Sequence, residues 1–284
     1  MSINQIKNSR RKGAAFSINK LEIEQFYKQG YLVLKNVLTE KELKSIDPVF
    51  DHFISGKEKK RMRKDFCDMS QPYGTPYDKF QLINAMLPAQ YMPTFNNNIF
   101  HKITQNISNQ LYTNGKAEID YEQFLAKKPS EKGAEFTMHQ DLGYWPKTKN
   151  TWTATFSLAL TDADIVNGCL YVIPGSNNEA ELKKHKPKNY SENKKDSNSG
   201  REDSHTLVIE SNPNDENIFL PVKRGDITIH DERIVHGSGG NNSKDWRKTY
   251  IVAFRDSETI KKERSIGFTH SHNDKVDWEK VISI

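Results

Sequence analysis

The chain has 284 residues with 35% hydrophobic content, and its 42 Lys and Arg residues against 37 Asp and Glu residues give a formal net charge of +5. This hydrophobic content is low but sufficient for one continuous core, so a fibrous or wholly disordered chain is excluded. The basic excess is spread along the sequence, whereas nucleic-acid-binding proteins usually concentrate it. We therefore expect no nucleic-acid partner.

Membrane and secreted classes are disfavoured as well. No stretch approaches the ~18 consecutive apolar residues that a membrane-spanning helix requires, and residues 1–16 carry charges where a signal peptide has its apolar segment. The two cysteines, Cys67 and Cys169, are too few for a disulfide framework and suit a reducing compartment. The sequence predicts a cytoplasmic protein with no membrane partner and leaves the oligomeric state open.

The front half of the chain is predicted to be helical. Asn19 and Glu22 have the spacing of a capping box, and Gly30 is a typical helix end. Thr39 and Glu42 form a second capping box of the same kind. The predicted elements are a helix of about ten residues after Asn19, a short buried strand over 31–34 and a helix over 40–54.

From residue 117 onward, short apolar runs alternate with turn sequences such as Pro174-Gly175. Seven short strands after a helical front half predict an α+β, mainly β fold, either a β-sandwich or a jelly roll with helices packed on one sheet. The predicted strands cover residues 118–126, 134–139, 152–160, 170–173, 206–209, 226–230 and 247–254.

We expect one domain over residues 19–256. Residues 1–18 are basic and are predicted to be a flexible tail, and residues 257–284 form a C-terminal extension. Residues 176–204 are rich in Lys, Asn and Ser with few apolar residues. This stretch is therefore either a disordered insertion or a lid over an active site.

The densest chemical signal is His139-Gln140-Asp141, at the end of a predicted strand. Alternate residues of a strand point to the same face, so His139 and Asp141 are expected to face the same side. An imidazole and a carboxylate on one face can bind a single divalent ion. Taken alone the pair is weak evidence, because a surface pair at a strand end has the same sequence.

A second segment strengthens the metal hypothesis. Gly225-Asp226 introduces a strand that is predicted to deliver His236 to its far end. If this strand lies beside the first, His139, Asp141 and His236 form a two-histidine, one-carboxylate triad that leaves three positions of an octahedral metal open. Such a site suits Fe(II), because a cosubstrate and O2 take the open positions.

Arg247 follows at the start of the next predicted strand. A guanidinium group binds a carboxylate bidentately, so an Arg near an open iron site is suited to a dicarboxylate cosubstrate. Ser238 is placed to add a hydroxyl group to the same carboxylate. The alternative for Arg247 is a surface ion pair with Asp245 or Glu232.

These segments, in this order, resemble the phytanoyl-CoA dioxygenase family of Fe(II)- and 2-oxoglutarate-dependent oxygenases, over roughly residues 22–256. The matching segments are Phe26-Tyr27-Lys28-Gln29-Gly30-Tyr31-Leu32-Val33-Leu34, His139-Gln140-Asp141, Asn167-Gly168-Cys169-Leu170-Tyr171-Val172-Ile173-Pro174-Gly175-Ser176, Gly225-Asp226, His236-Gly237-Ser238 and Arg247.

The resemblance implies a double-stranded β-helix (jelly-roll or cupin-like) fold with flanking N-terminal helices. It implies iron held by His139, Asp141 and His236, and 2-oxoglutarate held by Arg247 with Ser238. Related members also use a polar side chain on the strand before the His-x-Asp motif, a position that Gln123 occupies here.

The implied reaction is the O2-dependent decarboxylation of 2-oxoglutarate to succinate and CO2, coupled to oxidation of an unactivated C–H bond in a small molecule, as in specialised metabolism. Hydroxylation is the usual outcome, and desaturation or oxidative ring closure follows from the same chemistry. In halogenating family members a small residue replaces the carboxylate, so the presence of Asp141 disfavours halogenation.

Substrate contacts are harder to derive from the sequence. Tyr144 and Trp145 follow Asp141 and are expected at the mouth of the pocket, although ordinary core positions fit them as well. Gln81 is a further candidate, close to the turn-rich residues 65–74, which are expected to cover the pocket. Lysines in 57–64 and in 176–204 favour an anionic substrate.

A different class remains as the alternative: a jelly-roll metal-dependent isomerase or hydrolase, or a small-molecule-binding protein, none of which uses 2-oxoglutarate. Arg247 discriminates between these classes, because only the oxygenase requires it. His270 and His272 resemble another metal-binding pair, but they follow the last predicted strand and are interpreted as a polar tail.

Overall fold

The computed structural model describes residues 10–130, 134–188, 206–210 and 215–276. Its helices are α1 (Lys20–Gln29), α2 (Glu40–Ile54), α3 (Lys59–Met62), α4 (Pro88–Tyr91), α5 (Ile99–Leu111) and α6 (Ser257–Ser265). Its strands are β1 (Arg11–Lys12), β2 (Ala15–Phe16), β3 (Tyr31–Leu34), β4 (Phe66–Asp68), β5 (Leu82–Met86), β6 (Ala117–Lys127), β7 (Phe136–His139), β8 (Thr153–Ala159), β9 (Leu170–Val172), β10 (His185–Pro187), β11 (Leu207–Ile209), β12 (Ile218–Leu220), β13 (Ile227–His230), β14 (His236–Ser238) and β15 (Arg247–Asp256). None of the helices in these ranges is long and apolar enough to span a bilayer.

Two antiparallel sheets form the frame of the molecule. The larger has the strand order β3-β13-β8-β15-β6-β5-β4, and the smaller has the order β12-β9-β14-β7. Side chains from both sheets line one cavity, which therefore lies between them. The predicted fold class, a mainly β double-stranded β-helix with flanking helices, is confirmed.

The larger sheet separates this cavity from the main hydrophobic core. Successive side chains of a strand point to opposite faces, so Gln123 and Arg247 line the cavity while Phe124 and Tyr250 are fully buried on the other face. Helix α2 covers that other face, where the ring of Phe50 packs edge-on against Phe124 with centroids 5.0 Å apart. The helices thus hold the sheet from outside and leave its inner face to the cavity.

Both predicted capping boxes are present. The side chain of Asn19 accepts a hydrogen bond from the backbone N–H of Glu22, and the Glu22 carboxylate accepts one from the Asn19 N–H. Thr39 and Glu42 make the same reciprocal pair at the start of α2. Gly30 ends α1 with a φ of 82°, a conformation that glycine adopts without the strain of a side chain.

The prediction of a flexible tail is wrong for residues 10–18, the part of it that the structure describes. Strands β1 and β2 form a small hairpin, and the ring of Phe16 is buried with 1% exposure. The Phe16 N–H donates to the side chain of Asn106 on α5, and Arg11 pairs with Glu42. The composition is basic, but one aromatic ring and these contacts attach the segment to the core. Residues 1–9 lie outside the described residues.

The chain after β15 is also more ordered than expected. Arg255 is fully buried, and its guanidinium donates to Asp120 at 3.1 Å and to Glu263 on α6 at 3.0 Å. The interpretation of His270 as part of a polar tail is wrong, because its Nε2 lies 2.7 Å from a carboxylate oxygen of Asp120. His272 is likewise held, by the hydroxyl of Tyr73 at 2.7 Å.

Asp120, Glu263 and His270 lie close enough together to share a metal ion. However, the guanidinium of Arg255 already pairs with both carboxylates. A cation in this position opposes a second one, so the cluster is a buried ion-pair network that attaches α6 to the large sheet.

Residues 65–74, expected to be irregular, contain β4, which pairs with β5 at the edge of the large sheet. Within the same segment Met69 is buried in an apolar cluster that Phe136 joins, and Phe136 lines the cavity. The segment therefore backs the cavity wall. Strand β10, in the predicted lid or insertion 176–204, pairs with β11; residues 189–205 lie outside the described residues.

Candidate metal centre

Two histidines from remote parts of the chain meet on adjacent strands of the small sheet. His139 ends β7 and His236 begins β14, and the two residues are direct partners in the antiparallel register. Both side chains are buried, at 3% and 5% exposure, and their ring centroids are 4.2 Å apart. The pairing expected from the sequence is thus present.

The route to His236 differs from the expected one. The strand that begins after Gly225-Asp226 ends at His230 in the large sheet, and the chain then crosses to the small sheet, where His236 opens a separate strand. A short turn therefore places His230 and His236 on facing sheets. As a result both histidines border the same cavity.

The sequence predicted Asp141 on the same strand as His139. Instead, Asp141 begins a short 3-10 helix, Asp141–Tyr144. Gln140 anchors this corner: its side chain accepts a hydrogen bond from the Lys183 N–H at 2.8 Å and donates to the carbonyl of Arg233 at 2.5 Å. The turn brings the carboxylate of Asp141 beside the two imidazoles. The predicted convergence is therefore present, but it comes from this turn and not from the alternation of side chains along a strand.

The three side chains present one atom each to a common point. Oδ1 of Asp141 lies 3.5 Å from Nε2 of His139 and 3.4 Å from Nε2 of His236, and the three atoms lie within 4.8 Å of one another. These separations are short enough for one small divalent ion to bridge. Two imidazoles and one carboxylate are also the donor set that non-haem Fe(II) sites use.

Backbone carbonyls set the orientation of both imidazoles. Nδ1 of His139 lies 2.7 Å from the carbonyl oxygen of Thr137, and Nδ1 of His236 lies 3.0 Å from that of Ile234. Because a carbonyl only accepts, each Nδ1 carries the proton and donates it. Each Nε2 is therefore the nitrogen that faces Asp141, and it binds a metal through its lone pair when it carries no proton.

Burial and nearby charges favour the metal-binding forms of His139 and Asp141, which are a neutral imidazole and an ionised carboxylate. Burial, and then the charge of His236, lowers the pKa of His139 to about 4. Burial alone would raise the pKa of Asp141, but the charge of His236 and hydrogen bonds from the histidines lower it well below the ordinary value. Burial opposes a charge on His236, yet the Asp141 carboxylate outweighs it and raises that pKa. A metal ion thus competes with a proton at His236.

The sequence did not single out the two residues that hold the other oxygen of Asp141. Oδ2 lies 3.1 Å from Nε2 of His230 and 3.3 Å from the hydroxyl of Thr155. Both side chains come from the large sheet, where they are register partners on β13 and β8. The signal was available in the sequence Ile227-Thr228-Ile229-His230. Apolar and polar residues alternate along it, so His230 is expected on the polar face of its strand.

The cavity extends from these residues along the inner faces of both sheets. Arg247, Ser238 and Gln123 all line it, so the structure brings the expected cosubstrate residues to the same space as the triad. The Nε atom of Arg247 is buried and has no hydrogen-bond partner. An unpaired buried guanidinium nitrogen fits a site for an anionic ligand.

The expected substrate contacts are placed differently. Tyr144, Trp145 and Gln81 are not among the residues that line the cavity. The ring of Tyr144 packs against His139 with centroids 5.4 Å apart, and its hydroxyl accepts a hydrogen bond from the Leu207 N–H at 2.7 Å. Trp145 is buried with the Arg255 guanidinium over its ring. These three residues are therefore not part of the proposed substrate site.

A family model and several known proteins match this chain. The model for phytanoyl-CoA dioxygenase (PhyH) matches residues 26–249. The peroxisomal phytanoyl-CoA dioxygenase of Mus musculus is 23% identical over 245 residues, covering 84% of this chain and 69% of that protein. Phytanoyl-CoA dioxygenase domain-containing protein 1 of Danio rerio is 26% identical over 277 residues, covering 84% of this chain and 90% of that protein.

Solved structures match at the level of the fold. EvdO2 from Micromonospora carbonacea var. aurantiaca, complexed with 2-oxoglutarate, superposes with a TM-score of 0.66 at 20% identity, covering 86% of this chain and 93% of that one. The non-heme alpha ketoglutarate dependent carbocyclase SnoK from nogalamycin biosynthesis gives a TM-score of 0.63 at 20% identity, covering 85% of each chain. At these identities the similarity shows a shared fold.

Proposed function

This chain belongs to the phytanoyl-CoA dioxygenase family, and from that premise we propose which of its residues hold the cofactors and what class of substrate it oxidises. It is an Fe(II)- and 2-oxoglutarate-dependent dioxygenase. His139, Asp141 and His236 hold the iron, and Arg247 with Ser238 and Gln123 receives 2-oxoglutarate. The observation that carries this assignment is the convergence of three ligand atoms within 4.8 Å on a cavity that Arg247 also lines.

When bound, iron and 2-oxoglutarate would supply the oxidising chemistry together with O2: oxidation of a substrate C–H bond, coupled to decarboxylation of 2-oxoglutarate to succinate and CO2. The chain contributes orientation. The carbonyls of Thr137 and Ile234 fix the two imidazoles, and His230 holds one oxygen of Asp141 so that the other faces the histidines. The two sheets restrict water around these groups, which strengthens every electrostatic contact inside the cavity.

We further propose a small substrate that carries an anionic group. The ammonium of Lys64 lies 5.1 Å from the centroid of the Tyr73 ring, and Tyr73 packs in the apolar cluster that Leu125 and Phe136 join. Leu125 and Phe136 line the cavity, so its apolar wall at this end is backed by Tyr73, and Lys64 lies beyond Tyr73. An anionic molecule with an aliphatic body is complementary to both.

A matched substrate panel tests this charge preference. Each carboxylic acid is compared with its neutral primary amide, and 2-oxoglutarate consumption is measured. We expect the acids to be turned over faster than their amides, and the Lys64→Gln variant to reduce the difference. Faster turnover of the amides would contradict the proposed substrate class and leave the enzyme class untouched.

Hydroxylation is the proposed outcome, with desaturation or ring closure as the second possibility. SnoK, whose fold this chain shares, is a carbocyclase, so oxidation on this fold is not restricted to insertion of oxygen. Mass spectrometry of the product distinguishes the outcomes: hydroxylation adds one oxygen atom, whereas desaturation or cyclisation removes two hydrogen atoms.

The ligand assignment is tested by O2-dependent formation of succinate from 2-oxoglutarate. We expect His139→Ala, Asp141→Ala and His236→Ala each to abolish it, and Arg247→Ala to raise the concentration of 2-oxoglutarate that is required. The control is His52→Ala, because His52 is a half-buried residue on α2 paired with Glu58. Undiminished turnover by any of the three ligand variants would contradict the assignment.

A further inference from the structure

Two cationic side chains lie side by side at the end of the cavity where the cosubstrate is proposed to bind. Lys127 on β6 is the direct register partner of Arg247 on β15, and both line the cavity. Lys127 is only 2% exposed. Like charges directly opposite each other on neighbouring strands destabilise a sheet, so this arrangement requires an opposing charge.

The described part of the chain does not provide that charge. None of the ion pairs found among the described residues involves Lys127 or Arg247. Glu135 is the acidic residue whose charge acts on Lys127, but it is exposed and is not paired with it. The buried Nε of Arg247 has no acceptor. A buried donor without an acceptor is costly, so both residues are suited to an anion that arrives from outside.

Lys127 is held in a fixed position by the facing sheet. Its ammonium donates to the backbone carbonyl of Ser238 at 3.1 Å and to that of Gly239. An ammonium group has three donors, so one N–H remains for a ligand. Burial, and then the charge of Arg247, lowers the pKa of Lys127 well below its ordinary value, and a bound anion would counter both effects.

The position along the strand matches the length of the cosubstrate. Ser238, which Lys127 contacts, follows the proposed iron ligand His236 by two residues on β14, a rise of ~6.6 Å. A ligand whose oxo-acid end reaches the iron therefore has its far end near Lys127 and Arg247. A five-carbon dicarboxylate has a second carboxylate at that far end.

We infer that Lys127 joins Arg247 in binding the distal carboxylate of 2-oxoglutarate, and that Lys127 makes the site select dicarboxylic over monocarboxylic 2-oxo acids. This inference rests on the proposed function. A carboxylate has two oxygens, one for the guanidinium fork and one for the ammonium, so both cations can be satisfied by one group. The competing role is purely structural, in which Lys127 only ties the two sheets together through the carbonyls of Ser238 and Gly239.

A comparison of two ligands in two proteins separates these roles. Binding of 2-oxoglutarate and of 2-oxopentanoate, which lacks the distal carboxylate, is measured by calorimetry on the anaerobic Fe(II)-loaded protein. We expect Lys127→Gln to weaken 2-oxoglutarate about 10- to 100-fold, because a charge-assisted hydrogen bond is lost, and to leave 2-oxopentanoate within about twofold. Equal weakening of both ligands, or of neither, overturns the inference.

The neighbouring Lys128 provides the matched control, since its ammonium lies near the backbone carbonyl of Asp78 at 3.4 Å, away from the cavity. Lys128→Gln is expected to leave both affinities unchanged. If Lys127→Gln does not fold, the wild-type protein labelled with 15N-lysine decides: the Lys127 Nζ signal, assigned by its loss in Lys127→Arg, must shift with 2-oxoglutarate and not with 2-oxopentanoate. A signal that responds equally to both ligands, or to neither, refutes the role.

Failure of this inference is distinguishable from failure of the proposed function. A wild-type protein that binds neither 2-oxo acid contradicts the proposed function itself, and this inference with it. A wild-type protein that prefers 2-oxoglutarate, together with a Lys127→Gln variant that keeps the preference, contradicts only the role of Lys127.

Discussion

The imidazoles of His139 and His236 face each other across adjacent antiparallel strands, as direct register partners with ring centroids 4.2 Å apart. Their backbone pairing holds the two proposed iron ligands at a fixed separation without any metal. The geometry of the centre therefore depends on how closely β14 packs against its neighbours, and Gly237 lies in the middle of that strand.

Gly237→Ala is predicted to impair metal binding. A methyl group at this position would lie 2.7 Å from the hydroxyl of Tyr171, which must move, and 3.0 Å from the backbone carbonyl oxygen of Phe136. We expect β14 to shift by a few tenths of an ångström from this carbonyl and to carry His236 with it. The Fe(II) affinity, measured by competition with a chelator, is expected to fall at least tenfold, as displacement of a ligand requires. The control is Gly239→Ala, whose methyl group meets only Gly168 at 3.8 Å; equal effects of the two substitutions would contradict the prediction.

His230 is predicted to position Asp141 without binding the metal. Its Nε2 lies 3.1 Å from Oδ2 of Asp141, so His230→Leu leaves that oxygen without its imidazole and lets the carboxylate rotate. We expect the Fe(II) affinity to fall about 10- to 100-fold, and activity to recover partly at higher Fe(II). His230→Gln, which keeps a donor, is expected to retain more affinity than His230→Leu. The role is refuted if chelator competition gives the same affinity for His230→Leu and wild type.

Arg255 is predicted to be essential for stability. Its replacement by Met leaves the buried carboxylate of Glu263 without its guanidinium and leaves Asp120 with Arg264 and His270 as its remaining partners. Removing one partner of a buried ion pair costs about 3–5 kcal/mol. Urea unfolding measures the loss. Lys261→Met is the control, because its pair with Glu258 is exposed and exposed pairs contribute little. An Arg255→Met midpoint equal to that of the control would show that the network contributes nothing.

Glu42 is predicted to make stability depend on pH in the acid range. Burial would raise the pKa of Glu42, but hydrogen bonds from Arg11 and Thr39 outweigh it and lower the pKa to about 2, against about 4.3 in an unfolded chain. The folded state thus binds the proton less readily. The stabilisation is complete above about pH 4.3 and is lost as the pH falls toward 2.

The measurement is the urea midpoint between pH 6 and pH 3 for wild type and Glu42→Gln. The variant is expected to be less stable than wild type at pH 6, with a difference that shrinks as the pH falls. A difference between the two proteins that stays constant over this range would contradict the assigned pKa of Glu42.

Local signals in the sequence predicted much of the fold. Both capping boxes, the helix end at Gly30 and the strands β6, β8 and β15 follow from residue patterns within a few positions. The convergence of His139, Asp141 and His236 was predictable because these residues belong to two compact motifs. Local patterns do not reveal the partner of a charged residue. From the sequence, Arg255 and His270 were expected to be exposed polar residues, and only their contacts with the distant Asp120 explain why both are buried.

The direction of individual side chains was the second feature that the sequence did not fully predict. Lys127 has the same parity along β6 as Gln123 and so faces the same cavity, yet a lysine in a strand reads as solvent-exposed unless the facing sheet is known. Tyr144 and Trp145 follow Asp141 in sequence, but neither of them lines the cavity. Strand parity was thus a better guide to the residues that line the cavity than adjacency to Asp141 in the sequence.

The most direct test of the central claim is anaerobic addition of Fe(II) and 2-oxoglutarate to the purified protein, followed by visible absorption. If His139, Asp141 and His236 hold iron in the cavity that Arg247 lines, a metal-to-ligand band develops only when both are present, and it is absent in Asp141→Ala. A band that is missing in the wild-type protein, or that persists unchanged in Asp141→Ala, would contradict the account.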